Sequence, residues 1–141
     1  MKRTIAIACG GDTSEFEVSL RSAQGIYSFI DKEKYTLYIV EMHGLDWHVQ
    51  LPDGTKAPVD RNDFSFRLGE EKVVFDFVYI TIHGTPGEDG RLQGYLDMLH
   101  IPYSCCGVLA AALTYDKFAC NQYLKAFGVR IADSLLLRQG Q

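Results

Sequence analysis

The chain has 141 residues, 47% of them hydrophobic, a length and composition that suit one globular domain with enough apolar side chains for a buried core. Fourteen Lys and Arg against eighteen Asp and Glu leave a net charge of -4 with no basic run, which argues against nucleic acid and anionic membrane surfaces as partners. The four cysteines (Cys9, Cys105, Cys106, Cys120) form no CxxC pair and have no histidine at metal-ligand spacing, so no metal site is expected and they read as reduced thiols of a cytoplasmic protein.

The opening MKRTIAIACGG has an apolar run too short for a signal peptide, whose core needs roughly seven to fifteen residues. Residues 4 to 9 read instead as a buried first strand ending at Gly10-Gly11. Ser14 and Glu17 have the S-x-x-E spacing of a capping box, and Leu20, Ala23, Tyr27 and Ile30 recur on one face of a helix predicted to end near Asp31. The aromatic and β-branched stretch YTLYIVEM, residues 35 to 42, is a second strand. Residues 43 to 72 are more polar, and the turn LPDG between DWHVQ and TKAPV predicts a small hairpin insertion.

Residues 73 to 82 (VVFDFVYITI) are apolar apart from Asp76, as a central strand of a parallel sheet would be. Beyond the loop HGTPGEDG, a helix with Asp89 as its N-cap is predicted to carry Leu92, Leu96 and Leu99 on one stripe, and Ile101-Pro102-Tyr103 a short return strand. A long apolar helix is expected over 107 to 127, closed by Gly128, and the final IADSLLLRQGQ looks like the start of a further strand. Strands alternating with helices predict an α/β fold, a doubly wound parallel sheet flanked by helices.

Ligands of open parallel sheets bind beyond the carboxyl ends of the strands, and both CGGDTSEFE (9 to 17) and HGTPGEDG (83 to 90) lie there, facing one crevice. The first loop lacks the glycines that the dinucleotide fingerprint G-x-G-x-x-G requires. Glu15, in the first helical turn, either complements the helix dipole or offers an ionised carboxylate to a substrate ammonium. His83 at a strand terminus either meets a ligand's carboxylate or phosphate or is simply hydrogen-bonded in place. Glu88 and Asp89 read mainly as turn and cap, and Lys117 as a solvated side chain or a point charge for a phosphate.

Three segments together, GGDTSEFEVSLRSA (10 to 23), HGTPGEDGRLQGYLDMLHIPYS (83 to 104) and GVLAAALTYDK (107 to 117), resemble the amino-terminal part of the D-alanine:D-alanine ligase family, in that family's order. The resemblance implies a Rossmann-like, pre-ATP-grasp fold and an ATP- and Mg²⁺-dependent ligation in peptidoglycan synthesis. There the carboxylate of one D-alanine is phosphorylated and the amine of a second attacks the acyl phosphate. It also implies residue roles: Glu15 binds the ammonium of the first D-alanine, His83 lies near that substrate's carboxylate, Val18 and Ser19 belong to the substrate-binding set, and Lys117 contacts ATP phosphates. On this reading residues 1 to 115 are the substrate-binding domain and 116 to 141 begin the central ATP-grasp domain of a longer, cytoplasmic, homodimeric enzyme. The remaining ATP and Mg²⁺ contacts are expected outside these residues, which leaves the chain inactive by itself.

Phe16 stands where the family often has a basic or imidazole side chain, and Ser104-Cys105-Cys106 where it usually has Thr-Gly-Ser. Two other readings remain open at this level: a related ligase joining D-alanine to D-lactate or D-serine, and a stand-alone, non-catalytic binding module of the same fold.

Overall fold

The computed structural model describes residues 2–138 and residue 140. Along the chain the elements are β1 (Arg3–Gly10), α1 (Phe16–Phe29), β2 (Tyr35–His43), β3 (Asp46–Gln50), β4 (Lys56–Asp60), β5 (Ser65–Leu68), β6 (Glu71–Val74), β7 (Phe77–Ile80), α2 (Arg91–Met98), α3 (Val108–Tyr115) and α4 (Lys117–Ala126). The strands form one seven-stranded sheet in the order β6-β5-β4-β3-β2-β1-β7. Only β1, β2 and β7 run parallel; β3 to β6 add on antiparallel beyond β2. Where a small hairpin insertion was expected, β3 and β4 pair antiparallel as half of a four-strand meander that extends the main sheet. The fold is therefore mixed α/β rather than parallel throughout.

The expected single strand over 73 to 82 is two strands, β6 and β7, at opposite edges of this sheet. The break falls at Asp76, whose carboxylate accepts the Thr4 N–H (2.7 Å) while its own N–H donates to the Thr4 carbonyl (2.8 Å). A flat seven-stranded sheet would be roughly 29 Å across. The two residues between Val74 and Phe77 reach about 11 Å at most. The sheet must therefore curl until its edges approach, and the concave side holds the main core: Ala6, Ala8, Val40, Met42, Val49, Phe64, Phe66, Phe75 and Val78, with Leu92 and Leu96 of α2 packed in. Phe66 stacks on Phe75 at 5.8 Å, and Tyr38 meets Phe66 edge-on at 4.8 Å.

The other face of the parallel strands is covered by α1. Ile7 and Cys9 of β1 meet Ala23, with Leu20, Ile26, Tyr27 and Ile30 around them, so the helical stripe read from the sequence lies where it was expected. Alternate residues of β1 thus feed two cores, which accounts for its uninterrupted apolar sequence. The Cys9 thiol is fully buried, and burial, with Glu41 alongside, pushes it up to about 12. Burial also raises the Glu41 carboxyl, but the Gln50 amide (3.0 Å), His48 (3.3 Å) and Lys56 (3.6 Å) outweigh it and hold the group below the ordinary carboxylate value.

Five local expectations are corrected. The Ser14–Glu17 capping box does not form: α1 starts at Phe16 with no side-chain cap, because Thr13 rather than Ser14 turns its hydroxyl back onto the chain, at the Glu15 N–H. At α2 the cap residue is Gly90, at φ 89°, while Asp89 accepts the Arg91 N–H from one position earlier. The long helix is broken into α3 and α4 at Asp116, which leaves helical geometry (ψ 101°) and accepts the Ala119 N–H as the cap of α4. Gly128 then ends α4 at φ 75°, its N–H on the Lys125 carbonyl and the Val129 N–H on the Leu124 carbonyl. Residues 101 to 103 make a single bridge to Val78, not a strand, and residues 131 to 138 form no strand because no neighbour pairs with them among the described residues.

Among the described residues no helix is long and apolar enough to cross a membrane. The four cysteines are free thiols, Cys105 and Cys106 exposed and Cys9 enclosed. Treatment of the native chain with a thiol-labelling disulfide near pH 8 is expected to modify Cys105 and Cys106 first and Cys9 only on unfolding. Peptide mass spectrometry reads this directly, and early labelling of Cys9 would contradict the burial described above.

Candidate functional site

Two loops leave the carboxyl ends of the parallel strands, residues 11 to 15 after β1 and residues 81 to 90 after β7. Because β1 and β7 pair directly, with Ala8 opposite Ile80, the loops emerge side by side. The tightness of the strand ends demands glycine. A Cβ on Gly10 (φ 96°) would stand 2.5 Å from the Met42 carbonyl oxygen, and one on Gly11 (φ 100°) 2.7 Å from Cγ2 of Ile82.

The loops are joined by backbone and hydroxyl groups. Asp12 N–H donates to the Thr85 carbonyl (3.0 Å), and the Thr13 hydroxyl donates to the His83 carbonyl (3.0 Å). One turn into α1, Ser19 is fully buried, its hydroxyl accepting the Gly10 N–H (2.9 Å) and donating to the Thr81 carbonyl (2.8 Å). Three elements, β1, α1 and the end of β7, therefore converge on one serine. A third wall comes from the β2–β3 turn. Gly44 N–H donates to the Asp12 carboxylate (2.7 Å), His43 Nδ1 donates to the Gly11 carbonyl (3.2 Å), and the His43 ring meets Phe16 edge-on at 5.5 Å.

Within the second loop the acids are structural. Glu88 accepts the Gly84 N–H (2.7 Å), and Asp89 accepts the Thr85 hydroxyl and lies 3.4 Å from Arg91 Nη1. Gln93, almost fully buried, donates to the Gly87 carbonyl (2.6 Å) and to Cys105 Sγ (3.2 Å). Burial raises the Cys105 thiol above its ordinary value, the Gln93 amide opposing.

A cleft of about 240 Å³ opens over this loop, lined by His83, Gly87, Glu88, Cys105 and residues 80 to 82. Beside it lies a second depression of about 210 Å³ formed by Glu88, Thr114, Tyr115 and Lys117. Glu88 is common to both, so the structure brings His83 and Lys117 to adjoining recesses. Lys117, expected mid-helix, is the first residue of α4 and donates to the Thr114 carbonyl (3.1 Å). Glu15 is exposed on the neighbouring loop, and its side chain has no hydrogen-bond or ion-pair partner among the described residues. Val18 is 50% exposed beside it, whereas Ser19 points inward with both hydrogen-bonding directions taken by backbone. A further cavity of about 290 Å³ lies away from these residues, on β4 to β6.

Sequence reasoning missed Thr13 and the contribution of the β2–β3 turn. The signal for Thr13 was available: a hydroxyl just before the start of a helix commonly turns back onto the backbone N–H two residues on. Nothing local to residues 43 and 44 announces their contact with Asp12.

Residues 4–106 match the sequence profile of a family described as D-ala D-ala ligase N-terminus. The chain is 87% identical over its full 141 residues to a D-alanine–D-alanine ligase of Bacteroides thetaiotaomicron, and spans 44% of that protein's length. Among solved structures it is similar to the D-alanine–D-alanine ligase from Aeromonas hydrophila, with a TM-score of 0.83 at 28% identity over 99% of this chain and 52% of the other. It is also similar to the D-alanine–D-alanine ligase from Bacillus anthracis complexed with ATP, with a TM-score of 0.70 at 26% identity over 99% of this chain and 41% of that one.

Replacing Ser19 by alanine leaves a buried Gly10 N–H and a Thr81 carbonyl without partners, and is expected to cost about 1–3 kcal/mol of stability. Urea unfolding followed by circular dichroism measures this; a change near zero would mean that the hydroxyl is not the pin between α1 and the two strands.

Proposed function

Because the chain belongs to the D-alanine:D-alanine ligase amino-terminal family, we propose that it is the substrate-binding part of an ATP-dependent ligase that forms D-alanyl-D-alanine for peptidoglycan synthesis. The observation that carries the reading is the joining of the Glu15 and His83 loops at the carboxyl ends of β1 and β7, inside the segment that matches the family. A zwitterionic amino acid needs an anion for its ammonium and cationic or donor groups for its carboxylate, and the two joined loops carry Glu15 and His83 as candidates for these roles.

In this reading Glu15 holds the ammonium of the first D-alanine, its carboxylate exposed and uncommitted, and Val18 shapes the edge of the same pocket. Ser19 serves the pocket indirectly, by locking the start of α1 to the strand ends. His83 lines the cleft and orients the substrate carboxylate by offering a ring N–H to one of its oxygens. Lys117 supplies a cation to the phosphates of ATP as cosubstrate from the adjoining recess. ATP then transfers phosphate to the held carboxylate and the second D-alanine amine displaces it.

Among the described residues no group of three or more His, Cys, Asp or Glu gathers to hold a metal ion, so no step is assigned to Mg²⁺ bound by this chain. The chain spans 44% of the length of the Bacteroides relative. The Mg²⁺ ligands and most of the ATP contacts belong, in this reading, to the rest of a full-length polypeptide. The parallel part of the sheet is then the Rossmann-like, pre-ATP-grasp domain, and the interruption at Asp116 marks the boundary with the ATP-binding domain. The protein works in the cytoplasm as a homodimer, for which the uncovered Val108 and Leu109 of α3 offer apolar surface.

In a full-length polypeptide carrying these residues, Glu15→Gln is expected to raise the KM for the first D-alanine at least tenfold while moving the KM for ATP less than twofold. Unaltered D-alanine kinetics would remove Glu15 from the site. The 141-residue chain assayed alone is expected to yield no D-alanyl-D-alanine from ATP and D-alanine, and chromatographic detection of the dipeptide would overturn that. Competition among D-alanine, D-serine and D-lactate as acceptors identifies the second substrate.

A further inference from the structure

We propose that Thr13 is a positioning residue that sets the separation of Glu15 and His83, an inference that rests on the ligase reading above. Its hydroxyl touches the backbone of both residues at once: it accepts the Glu15 N–H (3.3 Å) and donates to the His83 carbonyl (3.0 Å). A hydroxyl has one proton and two lone pairs, so one group bridges an N–H and a C=O without leaving either unpaired.

The other arm of the side chain is used as well. A Cβ added to Gly84, the residue after His83, would lie 2.5 Å from the Thr13 methyl carbon, so that methyl fills the space a larger neighbour would need. Gly84 itself adopts φ 74°. With Oγ1 held between two backbone groups and Cγ2 against Gly84, the β-branched side chain is confined to one rotamer. The Thr13 carbonyl also accepts the Phe16 N–H (3.3 Å), so the turn that carries Glu15 is closed by this same residue.

The position decides what Thr13 controls. The only other backbone tie between the two loops among the described residues is Asp12 N–H to the Thr85 carbonyl (3.0 Å), which lies three residues before Glu15 and two after His83. A single tie permits rotation about itself; the Thr13 hydroxyl is the second point that fixes the angle between the loops. Loss of the hydroxyl therefore leaves Glu15 and His83 chemically intact but free to drift apart, and small displacements of positioning groups are costly to catalysis.

The test uses the full-length polypeptide. Thr13→Val keeps the shape and both methyl-sized arms but removes the hydroxyl, and is expected to raise the KM for the first D-alanine about tenfold with the KM for ATP within twofold of the parent. Thr13→Ser keeps the hydroxyl and is expected to restore the D-alanine KM to within twofold. If Thr13→Val does not fold, Thr13→Ala is compared with Thr13→Ser in the same measurements. A folded hydroxyl-free variant with unchanged D-alanine KM overturns the proposal, and so does a Thr13→Ser variant as impaired as Thr13→Val, which would assign the residue to packing. Glu15→Gln is run alongside. If it raises the D-alanine KM while Thr13→Val is silent, this proposal alone falls; if Glu15→Gln is silent, the ligase reading of the crevice falls and this proposal with it.

Discussion

Phe75 and Asp76 carry the chain from one edge of a seven-stranded sheet to the other, and most of the architecture follows from that short connection. Two residues cannot span a flat sheet of that width, so the sheet curls and encloses the aromatic cluster of Phe64, Phe66 and Phe75. The same connection delivers β7 beside β1, clamped by the paired hydrogen bonds between Asp76 and Thr4. Only because β7 neighbours β1 do the loops bearing Glu15 and His83 meet. The core and the crevice thus share one cause.

Within the crevice, labour is divided by chemistry. Hydroxyls and backbone groups do the joining: Thr13 and the Asp12 amide tie loop to loop, Ser19 pins α1 to the strand ends, and every one of their partners is a main-chain atom. Glu88 and Asp89 close the turn that leads into α2. This leaves the Glu15 carboxylate exposed and free of internal partners among the described residues. A carboxylate already neutralised by a neighbouring cation would have to break that contact before binding anything. The glycines at 10, 11 and 84 serve close approach, since a side chain at any of them would collide with a neighbouring strand or loop.

The reading of local elements succeeded where apolar periodicity was strong and failed where a single polar residue changed the outcome. The α1 stripe and the strands β1 and β2 follow from spacing that admits one answer. The long strand over 73 to 82 and the long helix over 107 to 127 were each interrupted by one aspartate, Asp76 and Asp116, that spends its carboxylate on backbone N–H groups. In a pattern of hydrophobicity one acid inside ten apolar residues reads as tolerated. Only the partner reveals that it is a break, and the partner of Asp76 is Thr4, distant in sequence. The capping box at Ser14 failed for a related reason: Thr13 offered a competing hydroxyl, and its second bond to the His83 carbonyl holds it in place.

By itself the sequence determined the first two strands, the apolar stripe of the helix between them and the family, because each rests on local periodicity or on motifs contiguous in the chain. Tertiary structure alone decided that β6 and β7 sit at opposite edges of one curled sheet, that Ser19 and Thr13 are used as ties, and that His83 and Lys117 face adjoining recesses across Glu88. These depend on hydrogen bonds and packing between residues about sixty or more positions apart, or on a change of direction at a single aspartate, and no local pattern encodes either.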